Sequence, residues 1–226
     1  MKKQLGMFVM TACMAVFLAF SLPGMAKAES LGVADQPAKV AEVAAPGTLN
    51  ASSVIMKIGT LSPTYVSLEF NDSTYEKEIQ LINRFYKVVK TTTCYTYGSF
   101  SLAKNNIYYL RFRLRAYDYN TGSYVYGDWS GRRGICTVGY SLKLTGGKVR
   151  YKAPKVKGVK NFKIYLSKFS GSKYKKIKTL KPGKSFKFNK FRGKKLKKNK
   201  KYYYYSIAKA KNGLNFLCPA GYWWIY

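Results

Sequence analysis

The stretch Tyr108-Tyr109-Leu110-Arg111-Phe112-Arg113-Leu114-Arg115-Ala116 decides the fold class. Tyr108, Leu110, Phe112, Leu114 and Ala116 fall on one side of an extended chain, and Arg111, Arg113 and Arg115 fall on the other. That period of two marks a half-buried strand. The arginine side is expected to face solvent or a partner. Working outward, Tyr65-Val66-Ser67-Leu68-Glu69-Phe70 alternates in the same way upstream, and Tyr202 to Ala208 does so downstream. Beyond the N-terminal leader no segment offers a helical stripe of comparable quality; even Tyr75-Glu76-Lys77-Glu78-Ile79-Gln80-Leu81 fits a strand at least as well. The fold expected is all-β.

The pattern occurs twice. Leu102-Ala103-Lys104-Asn105-Asn106-Ile107-Tyr108 and Leu196-Lys197-Lys198-Asn199-Lys200-Lys201-Tyr202 share Leu-x-Lys-Asn-x-x-Tyr. Each copy leads into a tyrosine-rich run that ends at Ala116 or Ala208, followed by Asn120-Thr121-Gly122 or Asn212-Gly213. Asn-Gly elements supply the positive φ that closes a hairpin. A repeated strand, turn and strand implies two similar domains, expected over residues 50–138 and 139–226.

The residues that carry this repeat resemble the fibronectin type III family. A leucine six residues before a tyrosine, then alternating apolar residues, looks like that family's sixth strand. The resemblance implies that Tyr108 and Tyr202 form tyrosine corners beside Leu102 and Leu196, and that Phe70 replaces the usual core tryptophan. Glu78-Ile79-Gln80-Leu81 and Lys163-Ile164-Tyr165-Leu166 resemble its third strand, and Tyr126-Gly127-Asp128-Trp129-Ser130 the start of its last. The combination is similar to lysine- and tyrosine-rich modules of secreted and surface proteins of Gram-positive bacteria. It implies two tandem immunoglobulin-like β-sandwiches acting as spacers or adhesion surfaces, and fold alone does not settle activity.

The N-terminus reads as an export signal. Lys2 and Lys3 precede an uncharged run from Leu5 to Leu22, then Pro23, Gly24 and the small-x-small triplet Ala26-Lys27-Ala28. Residues 1–28 are expected to be removed, leaving no membrane span, and residues 29–49, rich in Ala, Val and Pro, to form a linker. The mature protein is then secreted or held at the cell surface.

Charge divides the chain. Residues 29–138 hold 12 basic and 9 acidic side chains, whereas residues 139–226 hold 26 basic and none acidic. Such a surface repels itself unless an anionic partner offsets it. The expected contacts are Lys175, Lys176, Lys178, Lys187 and Lys190, then the basic loop Arg192, Lys194, Lys195, Lys197, Lys198, Lys200 and Lys201. The expected partner is an anionic cell-wall or extracellular polysaccharide, since lysine point charges outnumber arginine 24 to 2 after residue 138. No recognition helix or zinc-finger spacing points to a specific nucleic acid. The alternatives are a structural spacer, or an adhesin subunit binding a protein partner, with the lysines serving solubility.

Catalysis is not expected. The chain has no histidine, so the usual general base and the commonest metal ligand are missing. Glu69, Asp72, Glu76 and Glu78 cluster, but read as a solvated acidic turn rather than a metal site. No cofactor motif is present. Of the cysteines after the leader, Cys94 and Cys136 are the pair available for a disulfide inside the first domain, which leaves Cys218 unmatched.

Overall fold

The structure, a computed structural model, describes residues 49–139, 141–145 and 148–225; the expected export segment 1–28 and residues 29–48 of the expected linker lie outside them. Apolar alternation becomes strand throughout. After a 3-10 turn at Ala51–Ser53 come β1 (Met56–Leu61), β2 (Tyr65–Phe70), β3 (Glu76–Asn83), β4 (Val88–Cys94), β5 (Tyr97–Ser101), β6 (Ile107–Asp118), β7 (Ser123–Tyr126) and β8 (Arg133–Cys136). The second half continues with β9 (Ser141–Thr145), β10 (Lys148–Lys152), β11 (Val159–Ser167), β12 (Lys175–Leu180), β13 (Ser185–Phe188), β14 (Lys190–Phe191) and β15 (Lys194–Lys195). It closes with β16 (Lys200–Ala210), β17 (Asn215–Leu217) and β18 (Gly221–Ile225).

The two halves repeat one topology. In the first, β1-β2-β5 form one sheet and β4-β3-β6-β8 the other, with β7 added to β6. In the second, β9-β10-β13 face β12-β11-β16, and both β17 and β18 pair with β16. A three-stranded sheet against a larger one in this order is the arrangement of immunoglobulin-like sandwiches. In both halves the last strand is broken in two, and each piece pairs with the same long neighbour. The turns Asn120-Thr121-Gly122 and Asn212-Gly213 close the first of these pairings, with φ of 66° at Gly122 and 89° at Gly213.

Side chains from both sheets fill the first core. Met56, Val66, Leu68, Phe70 and Phe100 meet Ile79, Leu81, Leu110, Phe112, Leu114 and Ile135. Phe70 packs its ring edge-on to Phe112 at 5.0 Å. Leu49, read from composition as the end of the linker, is buried in this core. In the second half Tyr151 occupies the position equivalent to Phe70 and is buried among Phe162, Ile164, Ala208 and Phe216.

The repeated leucine and tyrosine make the same contact in each half. The Tyr108 hydroxyl accepts the backbone N–H of Ala103 at 3.3 Å, and that of Tyr202 accepts the N–H of Lys197 at 3.0 Å. In both cases the donor is the residue after the leucine, so each ring braces the connection that leads into its own strand. Tyr202 is fully buried, with Leu196 packed against its cluster, whereas Leu102 is buried and Tyr108 is half-buried.

The halves are not strung end to end. Leu217 of β17 pairs with Ile135 of β8, the one parallel pairing among the described strands, and so joins the larger sheets into a ten-stranded sheet. Tyr109, Ile82 and Ile107 lie on the outer side of the first sandwich. They are nevertheless buried, in one cluster with Phe162, Phe216 and Cys218 of the second half. The outside of the first sheet thus becomes part of the inside of the second. Gly134 permits the close approach: a Cβ there would stand 2.7 Å from the Phe216 ring and 3.0 Å from the Asn215 carbonyl. Above it, Tyr109 meets Phe216 edge-on at 5.1 Å and stacks on Tyr86 at 5.2 Å. Asn212 reaches across to the Tyr86 hydroxyl at 3.4 Å.

This layout excludes the disulfide expected between Cys94 and Cys136. They lie on β4 and β8, with β3 and β6 between them, and three inter-strand steps amount to about 14 Å, twice the reach of a disulfide. No disulfide joins Cys94 to Cys136.

Two substitutions check this packing by denaturant unfolding. Tyr202→Phe should cost about 1 kcal/mol through the lost hydroxyl contact, and Tyr202→Ala about 3–5 kcal/mol because a cavity is added. Gly134→Val should destabilise by about 1–3 kcal/mol, since the buried Phe216 ring has nowhere to move. Gly131→Ala, with nothing within 4 Å, should be silent.

Candidate polyanion-binding surface

Four cations of the first half, Lys77, Arg111, Arg113 and Arg115, are used internally. β3 and β6 pair so that Glu76, Glu78 and Gln80 stand opposite Arg115, Arg113 and Arg111. Arg113 donates to Glu78 Oε2 at 2.7 and 2.9 Å, Arg115 to Glu76 Oε2 at 2.8 Å, and Arg111 to Gln80 Oε1 at 2.7 and 2.9 Å. On their other side the guanidinium planes rest on aromatic rings: Arg111 on Trp129 at 4.2 Å, Arg113 on Tyr126 at 3.9 Å and Arg115 on Tyr124 at 4.1 Å. The arginine face expected to meet solvent or a partner is therefore covered by the chain itself. Pleat geometry explains it, because a strand carrying Glu at alternate positions happens to pair in register with one carrying Arg.

Lys77 is the most enclosed cation among the described residues. Its ammonium is fully buried and donates to the Asp72 carboxylate and to the Asp72 carbonyl, each at 2.6 Å. Burial alone would raise the Asp72 pKa, but the hydrogen bond and charge of Lys77, with the Thr74 N–H, outweigh it and hold the carboxyl below its ordinary value. Asp72, Glu76 and Glu78, read from sequence as a solvated acidic turn, are thus partners in ion pairs. Among the described residues no group of three His, Cys, Asp or Glu could hold a metal, and no helix is long and apolar enough to cross a membrane.

The second half has no carboxylate to repeat this arrangement. Lys175, Lys176 and Lys178 lie exposed on β12, the edge of the large sheet. Lys187 lies exposed on β13, the edge of the small one. Residues 190–195, expected to lie largely in a basic loop, form a hairpin instead. β14 and β15 are joined by Arg192 and Gly193, whose φ of 51° and 76° are those of a tight turn with two left-handed residues. Lys190 stands directly opposite Lys195, and Phe191 opposite Lys194. Lys197, Lys198 and Lys200 follow, all exposed. Ile177 of β12, Phe188 of β13, and Phe191 and Leu196 around the hairpin share one apolar cluster with Tyr202, so these lysines surround one end of the second sandwich.

The lysines of β12 do not form a comb on one sheet face. A bulge opposite Ile164 and Tyr165 leaves Ile177 unpaired, so Lys176 aligns with the outward Tyr165 while Lys178 and Lys175 align with the buried Ile164 and Leu166. At a sheet edge the long stems carry their ammonium groups to water on either side. Lys201 stands apart, with its Nζ 3.7 Å from the centre of the Tyr222 ring and Tyr203 and Trp224 flanking it. Further along β16 Tyr205 stacks on Tyr165 at 4.7 Å, and burial pushes its hydroxyl pKa up to about 12.

Sequence reasoning missed Lys143 and Arg150. The register β9-β10-β13 sets Lys143, Arg150 and Lys187 side by side across the small sheet. Arg150 contacts Ser185 Oγ at 3.4 Å, and no acid is at hand. Alternation in Lys148-Val149-Arg150-Tyr151-Lys152 indicated which side these charges take, but only pairing brings three strands' charges into one row.

No protein-family model matches the sequence, and no curated protein matches it. Among solved structures, that of the receptor tyrosine kinase Torso, determined for its neurohormone perception, matches at 14% identity over 77% of this chain and 72% of its own, with a TM-score of 0.29. The FN1–FN3 domains of chicken CNTN1 match at 12% identity over 78% of this chain and 63% of their own, also at 0.29. At this TM-score both likenesses are loose.

Removing the partner of the buried ammonium tests the contrast between the halves. Asp72→Asn should destabilise by about 3 kcal/mol, because Lys77 is left charged and enclosed. In the unsubstituted protein the folded-state pKa of Asp72 lies below its unfolded value. Its stabilisation should be complete above about pH 4 and lost as pH falls through the lower, folded value. An Asp72→Asn variant whose stability loss is the same at pH 3 and pH 7 would contradict this.

Proposed function

We propose that the second half of the chain is a non-catalytic module of an exported protein that binds anionic polymers outside the cell. Its partner would be an anionic cell-wall glycopolymer or a sulfated glycan. The observation that carries this reading is the alignment of Lys143, Arg150 and Lys187, and of Lys190 with Lys195, where like charges stand opposite one another with no carboxylate between residues 139 and 226. Cross-strand pairs of like charge oppose sheet formation. An anionic chain lying along the row removes that repulsion and releases its own counterions. The contacting groups would be Lys143, Arg150, Lys187 and Lys190, the hairpin cations Arg192, Lys194 and Lys195, then Lys197, Lys198 and Lys200, with Lys175, Lys176 and Lys178 at the flank.

A second reading rests on a specific observation. β12 and β13 are both sheet edges, and exposed lysine is a common guard against pairing with another chain. Under it the protein is a spacer or an adhesin subunit and the charge serves solubility. Edge protection does not account for Arg150, which lies on the central strand β10; Lys143 lies on β9, the opposite edge of the same sheet.

Salt titration separates the two readings. Binding of the full chain to a sulfated glycan or a teichoic-acid-like polymer should weaken steeply between roughly 50 and 200 mM salt. Replacing Lys194, Lys195, Lys197 and Lys198 by Gln should flatten the slope of log affinity against log salt by about 3–4 units. Replacing Lys143, Arg150 and Lys187 by Gln should flatten it by about 2–3 units and raise stability in the absence of polymer. Binding that persists in molar salt, or that neither set affects, would refute the reading.

A further inference from the structure

We propose that Cys136 and Cys218 form a disulfide that fastens the two sandwiches together. The sheet register places them side by side. Ile135 pairs with Leu217 across the parallel seam, and the residue that follows each is a cysteine, Cys136 at the end of β8 and Cys218 just past the end of β17. Neighbouring strands run about 4.8 Å apart, inside the Cα separation that a disulfide accepts. Both side chains enter the same buried cluster, at 0% and 1% exposure. The third described thiol, Cys94, lies on β4, at the far side of the first sandwich's larger sheet.

Sequence favours the wrong partner for a simple reason. Cys94 and Cys136 fall within one repeat, and Cys218 within the other. Because the inner side of the second sandwich is laid on the outer side of the first sheet, the productive neighbours come from different repeats.

The chemistry balances by exchange with an external disulfide, either a small molecule or an exchange protein. One cysteine, deprotonated, attacks a sulfur of that disulfide, releases a thiol and becomes a mixed disulfide. The other then loses its proton, attacks the protein sulfur of the mixed disulfide and releases the second thiol. The two cysteines lose two electrons and two protons in all, and the external disulfide gains both. In the folded chain the neighbouring thiol and burial raise the Cys136 pKa well above its ordinary value, which disfavours the attacking thiolate. Closure therefore belongs to folding, before the seam is sealed, and the finished bond is shielded from reductant.

The test uses the full chain carrying Cys13→Ser, unfolded under reducing conditions and refolded in a glutathione redox buffer. The soluble refolded protein is denatured, alkylated, digested and mapped by mass spectrometry. Expected are a peptide pair joining Cys136 to Cys218, lighter by two hydrogens than the reduced peptides, and full alkylation of Cys94. The same protein treated with dithiothreitol should keep the bond while folded and lose it in denaturant. Alkylation of both Cys136 and Cys218, a lasting glutathione adduct on either, or a bond through Cys94 would overturn the proposal.

Discussion

The close approach of β17 to β8 is the contact on which the rest of the molecule depends. It requires a residue without a side chain at Gly134, because the Phe216 ring and the Asn215 carbonyl fill the space where a Cβ would stand. Once the strands meet, Tyr109, Ile82 and Ile107 lose their solvent and become the floor of the second core. That burial is favourable at about 25 cal/mol for each Å² of apolar surface removed from water. The two sandwiches therefore share a hydrophobic cluster in addition to the link between Val138 and the start of β9. Relative motion between them would have to open that cluster.

Opposite solutions to the same problem of charge occur on the two sides of this seam. In the first sandwich, carboxylates on β3 answer arginines on β6, and aromatic rings cover the far side of each guanidinium. Little of that charge is left for a partner. In the second sandwich, cations meet cations across the strands. Exposure to water weakens this repulsion without removing it, and salt screens it over a Debye length of about 8 Å at physiological ionic strength. The apolar cluster of Phe191, Tyr202 and Leu166 supplies the cohesion that lets the hairpin hold its lysines together against their repulsion.

The repeat shows how a local motif becomes a structural joint. A leucine and a tyrosine six residues apart would mean little in a helix. In a sandwich they place the tyrosine hydroxyl against the N–H of the residue after the leucine, and they do so in both halves. The difference between the copies lies in insertion: the second admits the β14–β15 hairpin before its long strand, where the first turns directly through residues 102–106. That insertion adds Lys190, Arg192, Lys194 and Lys195 to the lysines of the repeated motif, and leaves the sandwich free to keep the topology of its twin.

Strands, hairpin turns and the repeat were legible in the sequence because each depends on neighbours a few residues away: apolar alternation along the pleat, positive φ at Gly122 and Gly213, and the leucine-tyrosine spacing. The excess of cations after residue 138 was legible for the same reason, since it is a property of composition. Tertiary structure alone decided which charges face each other. Register across β3–β6 turns arginines into paired residues, and register across β9–β10–β13 turns Lys143, Arg150 and Lys187 into a row. It also decided that Cys136 neighbours Cys218 rather than Cys94, and that Tyr109, which alternation assigned to the outer side, is buried. These are contacts between segments distant along the chain. One residue of register or one choice of sheet edge reverses them, and no local pattern of side chains encodes that choice.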